Sequence, residues 1–409
     1  MDTIKNTLQN KTTSLTWFFV LMFIEMMFAN LAHPATPFLI QQRMLPNYTF
    51  GFAFSAMAFT NFLFSPFWGM ISNRYGRMTV YLIGCLGYAL GQVGFALAMS
   101  FWMLIAARLV AGFFVGGVMV MHLTVVMDYS TKEDLAKNLT IHATVFTISG
   151  AAGYLIGGFI GDVSLPLLFT VQAVGLAFSG ILAYVTFRQI PIDESEKLKK
   201  HHWYEDFNPL YAFKKSYKIM TWSLWIFMII VFLSQVGSIA FDQSFNFYIR
   251  EQFGFPPSAN GMLKAAFGLL SLIVNMTIGL YLVRKTRQQK PLLLVLITLS
   301  LISLGLYLIS DQVLFLIMSI MLFTLNSIYV ILIQTIAGSL GRAIDHSMFM
   351  GLFNAIKSLG MIMGSSLVGI IYAIQANYSF VFTAINFALG ALLLGIFIHR
   401  KGTSHHETT

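Results

Sequence analysis

The sequence predicts an all-α membrane protein: twelve transmembrane helices in two pseudo-symmetric six-helix bundles. Three observations carry that expectation. Hydrophobic residues make up 57% of the 409 and charged residues only 10%, with a mean hydropathy of +0.74, whereas a soluble chain carries roughly 25% charged residues. Apolar stretches of about 20 residues, the length that crosses a hydrocarbon core, follow one another along the whole chain. A short basic motif between two such stretches, Gly69-Met-Ile-Ser-Asn-Arg-Tyr-Gly-Arg77, returns as Gly279-Leu-Tyr-Leu-Val-Arg-Lys-Thr-Arg287, with Gly, Arg and Arg at unchanged spacing.

Taken in order, the apolar runs predict helices over 15–38, 50–70, 79–98, 102–126, 139–161, 165–187, 219–248, 258–282, 291–310, 312–340, 347–374 and 379–399. The segment before the first run is polar, and that run is too long for a signal-peptide core, so the first helix is expected to be retained. The one long polar interior segment divides the chain into an N-terminal bundle (1–188), a cytoplasmic linker (189–218) and a C-terminal bundle (219–409). With both termini inside, 20 of the 25 Lys and Arg lie on the cytoplasmic side; Arg43 and Arg250 lie outside, and Arg108, Lys264 and Lys357 lie within helices. That asymmetry is the positive-inside rule. The net charge of +9 is therefore topological and gives no ground for a nucleic-acid partner.

Cys85 is the only cysteine, so neither an internal disulfide nor a cysteine metal site is expected. No phosphate-binding Gly-x-x-x-x-Gly-Lys-Ser/Thr loop occurs, which argues against ATP hydrolysis by the chain itself. No metal spacing or nucleophile arrangement is present either. An enzyme, a cofactor or a metal centre is not expected.

The repeat recurs deeper in each half: Gly153-Tyr-Leu-Ile-Gly-Gly158 aligns with Gly364-Ser-Ser-Leu-Val-Gly369. Two matches at nearly one offset argue for duplication into parallel halves related by an axis along the membrane normal. The 69–77 motif resembles the loop after the second helix of the major facilitator superfamily, Gly-x-x-x-Asp-Arg-x-Gly-Arg, with Asn73 in place of the Asp. Three further segments resemble its twelve-helix drug:proton antiporter branch. His33-Pro-Ala-Thr-Pro37 is similar to the Pro-x-x-Pro exit of the first helix. Arg108-Leu-Val-Ala-Gly112 resembles Arg-x-x-Gln-Gly with Ala111 for Gln, and Gly153 to Gly158 resembles Gly-Pro-x-x-Gly-Gly with Tyr154 for Pro.

That resemblance implies a monomeric secondary transporter of a bacterial-type plasma membrane, both termini cytoplasmic, exporting small amphipathic compounds in exchange for protons by alternating access. It places Glu25, Asn30, Arg108, Gln235, Asn326 and Gln334 on helices that line a central cavity. It gives Gly69, Asn73, Arg74, Gly76 and Arg77 a place in a cytoplasmic gate, where Arg77 can pair with Asp128. The alternative is a dedicated metabolite or anion carrier, uptake included among its directions, with Arg108 and Lys357 binding an anionic group. A receptor or scaffold is disfavoured because no soluble domain accompanies the helices.

The residues support particular sites independently. An ionisable group inside a membrane helix costs roughly 2.5–3.5 kcal/mol on insertion scales and is a functional candidate by default. Glu25 lies about 15 Å into the first helix at ~1.5 Å per residue, near the midplane, and is the strongest proton or cation candidate. Lys357 lies at similar depth. Lys264, nearer a helix end, is expected to snorkel to the surface, and Asp242 to mark the solvated end of its helix. His122 and His142 are read as structural. Gly153, Gly157 and Gly158 provide a small-residue face for close helix packing, and loss of the proline at Tyr154 predicts a straight fifth helix.

Overall fold

The computed structural model describes residues 2–131, 134–187, 220–283, 288–342 and 346–406. Among these the protein is all-helical, as expected: eleven helices are long and apolar enough to cross a bilayer, and Leu15–Asn30 is a shorter apolar helix. In the absence of water, only segments that satisfy their own backbone hydrogen bonds can span lipid. The expected linker, the basic cluster at 284–287 and the side chains of Lys5, Lys11 and Asn73 lie outside the described residues.

The helices are α1 (Asp2–Asn30), α2 (Thr36–Gln42), α3 (Thr49–Tyr75), α4 (Arg77–Leu97), α5 (Phe101–Tyr129), α6 (Leu135–Val163), α7 (Leu165–Phe187), α8 (Trp222–Glu251), α9 (Pro257–Val274), α10 (Gln289–Leu308), α11 (Gln312–Arg342), α12 (His346–Ile374) and α13 (Tyr378–His406). Two starts are capped by side chains. The Ser100 hydroxyl accepts from the Met103 amide at 3.4 Å and the Thr221 hydroxyl from the Leu224 amide at 3.4 Å, each satisfying a donor that the first turn leaves over.

Four features differ from expectation. The first apolar run breaks at residues 31–35 and resumes as α2, because Pro34 and Pro37 remove amide donors and bias the residues before them away from helix. The 69–77 motif is barely a loop. Helix α3 continues to Tyr75, and the reversal is made by Gly76 alone, at φ +95°; glycine enters that region without the Cβ clash of other residues. Helix α8 runs to Glu251, so Asp242 is half-buried inside it rather than at its solvated end. Helix α9 passes into a π-helical turn at Asn275–Gly279 before a last short turn, Leu280–Val283. Helix α6 is continuous through Tyr154.

Two compact units are formed. The first comprises Met1–Arg43, Phe59–Phe207 and Phe255–Gly268, the second Met44–Ala58, Asn208–Gly254 and Leu269–Thr409. In the first, α4 packs on α5 and α7, and α1 on α6 and α7. In the second, α10 packs on α11 and α13, and α8 on α12 and α13. The pattern is the same, so the duplication seen in the sequence extends to helix pairing. The core of the first unit includes Phe18, Trp68, Tyr81, Cys85, Met121 and Phe187, drawn from α1, α3, α4, α5 and α7.

Candidate functional site

Within that core lies a polar constellation. Glu25 of α1 is fully buried, and neither carboxyl oxygen has a hydrogen-bond partner. Its Oε2 stands 3.3 Å from Nε2 of His122 on α5, itself buried to 1%. That is ion-pair distance without hydrogen-bond geometry. The same His122 nitrogen is 3.4 Å from the Tyr81 hydroxyl of α4. Phe18 closes the site edge-on against both Tyr81 and His122. Beyond His122 lies His142 of α6, ring centroids 6.3 Å apart; His122 Nδ1 and His142 Nε2 are both buried without a partner.

A carboxyl and an imidazole facing each other in an apolar core have two possible arrangements, carboxylate with imidazolium or carboxylic acid with imidazole. The sequence singled out Glu25 but treated His122 as structural, and the structure brings the two together. The residues are 97 apart, and no local pattern links them. The available signal was depth: each lies roughly 10–15 Å into its apolar segment, Glu25 from Leu15, where the apolar part of α1 begins, and His122 from Tyr129, where α5 ends, at ~1.5 Å per residue.

The other candidates disperse. Arg108 is buried in α5, with its guanidinium 3.7 Å over the Phe95 ring and Nη1 donating to Gln92 Oε1 at 3.4 Å. Asn30 donates to the Met26 carbonyl of its own helix at 2.7 Å. In the second unit, Asn326 donates to Ser238 Oγ at 2.8 Å, leaving its Oδ1 buried without a partner. Gln235 is buried against Gly360, and Gln334 is exposed. Lys357 is half-buried, its ammonium 5.7 Å from the Phe353 ring. Lys264 does not snorkel: it is 9% exposed, with Nζ 6.0 Å from the centroid of the Tyr154 ring. Among the described residues no group of three or more His, Cys, Asp or Glu could hold a metal ion.

The family model for the major facilitator superfamily matches residues 18–347. The chain belongs to that superfamily. The transporter is 22% identical over 388 residues to multidrug resistance protein 2 of Bacillus subtilis, covering 93% of this chain and 94% of the relative. It is 23% identical over 404 residues to multidrug resistance protein 1 of the same organism, covering 94% and 96%. Among solved structures, a bacterial homologue of the human lysosomal transporter Spinster superposes with a TM-score of 0.74 at 12% identity over 95% of this chain and 96% of that one. A point mutant of the nucleoside transporter NupG gives 0.73 at 13% identity over 94% and 99%. At those identities the structural likeness establishes the fold. The transporter is thus a multi-pass membrane protein, and its family is one of carriers rather than enzymes.

The motif residues fall at two places in the transporter. Arg77 at the start of α4 donates from Nε to Asp128 Oδ2 at 3.0 Å and from Nη1 to Ser72 Oγ at 2.6 Å, tying α4 to the ends of α5 and α3. Arg74 is exposed, lying 5.5 Å from the Tyr75 ring. At Gly69 an added Cβ would meet nothing closer than Val120 Cγ1 at 3.8 Å, an ordinary contact, so no neighbouring helix is packed tightly against it. Close approach occurs on α6 instead. A Cβ on Gly153 would lie 2.9 Å from Asn30 Cβ, one on Gly157 would lie 2.7 Å from Leu31 Cα, and one on Gly158 would lie 2.6 Å from the Pro257 carbonyl oxygen.

Proposed function

We propose that the chain is a proton-coupled exporter of small amphipathic compounds, with Glu25 and His122 together carrying the coupling proton. The observation that carries this reading is the buried pair itself. A carboxyl held 3.3 Å from an imidazole in an apolar core has two charge arrangements to choose between, and a change in hydration around it selects one. Alternating access would supply that change, opening the pair to one side of the membrane at a time. Multidrug resistance proteins among the nearly full-length relatives support amphipathic compounds as the substrate class. Protons as the coupling ion, the plasma membrane as location and both termini on the cytoplasmic side complete the reading, with the bundles 1–188 and 219–409 as the moving bodies.

Efflux of ethidium, an amphipathic fluorescent cation, in everted vesicles under an imposed pH gradient tests it. Wild type should drive ethidium against its concentration gradient. Glu25→Gln should abolish gradient-driven flux at matched protein level while leaving passive exchange of labelled ethidium across the transporter. Unchanged gradient-driven flux in Glu25→Gln removes the assignment. A second reading is favoured by one observation, the buried Arg108: a carrier of anionic metabolites. In that case an anionic dye competes with transport, and Arg108→Gln raises its apparent KM while ethidium is ignored.

A further inference from the structure

Glu25 is fully buried, so a proton bound there needs a route. We infer that His142 of α6 is the outer step of a proton relay running from Glu25 through His122 to the end of the bundle where α5 ends and α6 begins. The inference rests on the coupling role proposed for Glu25 and adds a residue and a direction to it.

Three observations point the same way. His122 presents Nε2 to Glu25 at 3.3 Å, while its other nitrogen, Nδ1, is buried with no partner. An imidazole can accept a proton at one nitrogen and release another from the opposite one, so a ring with one nitrogen on the acid and the other elsewhere can pass a proton on. His142 lies 6.3 Å away, centroid to centroid, with Nε2 also buried and unpartnered. The relay places one water between these two orphaned nitrogens, and two polar partners are the fewest such a water requires. Finally, burial grades along the series: Glu25 is fully enclosed and His122 1% exposed, and His142 is half-buried. His142 lies about 10 Å along α6 from Leu135 at ~1.5 Å per residue, as far as His122 lies from Tyr129 on α5, so the step from His122 to His142 runs sideways to the more exposed ring. The titratable side chains recorded around the pair are Glu25 of α1, Tyr81 and Cys85 of α4, and His142 of α6.

The balance is simple. Glu25 as carboxylic acid gives its proton to His122 Nε2, while the proton on His122 Nδ1 passes to the bridging water, and a proton of that water passes to His142 Nε2. His142 releases one from Nδ1 to solvent. The net change is one proton delivered to solvent and Glu25 left as carboxylate. His122 and His142 are each left in the other tautomer; His122 resets by turning its ring, and His142 by losing the Nε2 proton and regaining one at Nδ1 through solvent, before the next proton arrives.

A relay residue governs a rate, whereas a merely electrostatic neighbour governs an equilibrium. The test is infrared difference spectroscopy on the full-length protein in lipid, following the carbonyl stretch of the protonated Glu25 carboxyl after a pH jump. Glu25→Gln identifies the band. In His142→Gln, which keeps similar bulk, deprotonation should slow by at least about tenfold with the final extent of titration unchanged. In His142→Ala, added imidazole buffer should restore the rate. A wild-type rate in both variants overturns the relay, and so does a shifted end point at unchanged rate. If wild type shows no band that Glu25→Gln removes, the coupling role of Glu25 fails instead, which separates the two ideas.

Discussion

A carboxyl group without a hydrogen-bond donor, enclosed in an apolar core, is costly, and leaving either member of a buried charge pair alone is costlier still. Glu25 and His122 should therefore depend on each other energetically. His122→Phe strands the carboxyl, and Glu25→Gln leaves the imidazole without its acid. The double variant should be more stable than the two single effects summed, by roughly 0.5–3 kcal/mol, in a double-mutant cycle of thermal unfolding in detergent. Additive effects would mean that the 3.3 Å separation carries no coupling. This pair also marks what the sequence concealed. Glu25 was legible because a lone acid amid Phe, Met and Ile is conspicuous at any register. Its partner was not, because rotation of α5 about its axis decides whether His122 or a neighbour faces α1, and every flank of α5 is apolar enough to face protein or lipid.

Helices were legible for a different reason: bilayer thickness fixes their length, and the charges between them fix their ends. Two of the four places where expectation failed were set by proline and glycine acting one residue at a time, at Pro34 and Pro37 and at Gly76. Glycine function was harder to read, because sequence cannot say which helix a glycine faces. The structure separates α6 glycines by their neighbours. At Gly157 a Cβ would come within 2.7 Å of Leu31 Cα, while at Gly150 the nearest atom is Asn30 Nδ2 at 3.9 Å. Gly157→Ala should therefore cost about 1–3 kcal/mol through overpacking of α1 on α6. Gly150→Ala should be neutral or stabilising by up to about 1 kcal/mol from helix propensity. Gly69→Ala, with 3.8 Å to Val120, should be tolerated and remain active. Melting temperatures of the three purified variants decide this, and a Gly157→Ala protein as stable as wild type would show that α1 and α6 are less tightly joined than they look.

For the whole molecule, what matters is the free-energy difference between the states that open to either side. The family resemblance places an acid at position 73, where its charge engages arginine and a helix N-terminus while the cytoplasmic side is closed. Here Asn73 carries no charge, and α4, which starts at Arg77, has no acidic residue in its first turn. Arg77 is instead engaged by Asp128 at 3.0 Å. A carboxylate near a helix N-terminus is worth roughly 0.3–1 kcal/mol, and an interaction made in one state shifts the balance by its full differential energy. About 1 kcal/mol changes a population ratio roughly fivefold, since about 1.4 kcal/mol is tenfold. Asn73→Asp should therefore move the population toward the state closed on the cytoplasmic side. Spin labels on Tyr75→Cys and Lys290→Cys, exposed positions at the last turn of α3 and the first turn of α10, would report it in a background where the buried Cys85 is replaced by Ala. The expected result is a gain in the short-distance population. The effect should weaken in the further variant Arg77→Gln, because the new carboxylate then loses a cation it can share with Asp128. A distance distribution that Asn73→Asp leaves untouched reduces the basic motif to a topological signal, and the balance between states must then be set within the bundles, where the buried Glu25 and His122 lie 3.3 Å apart.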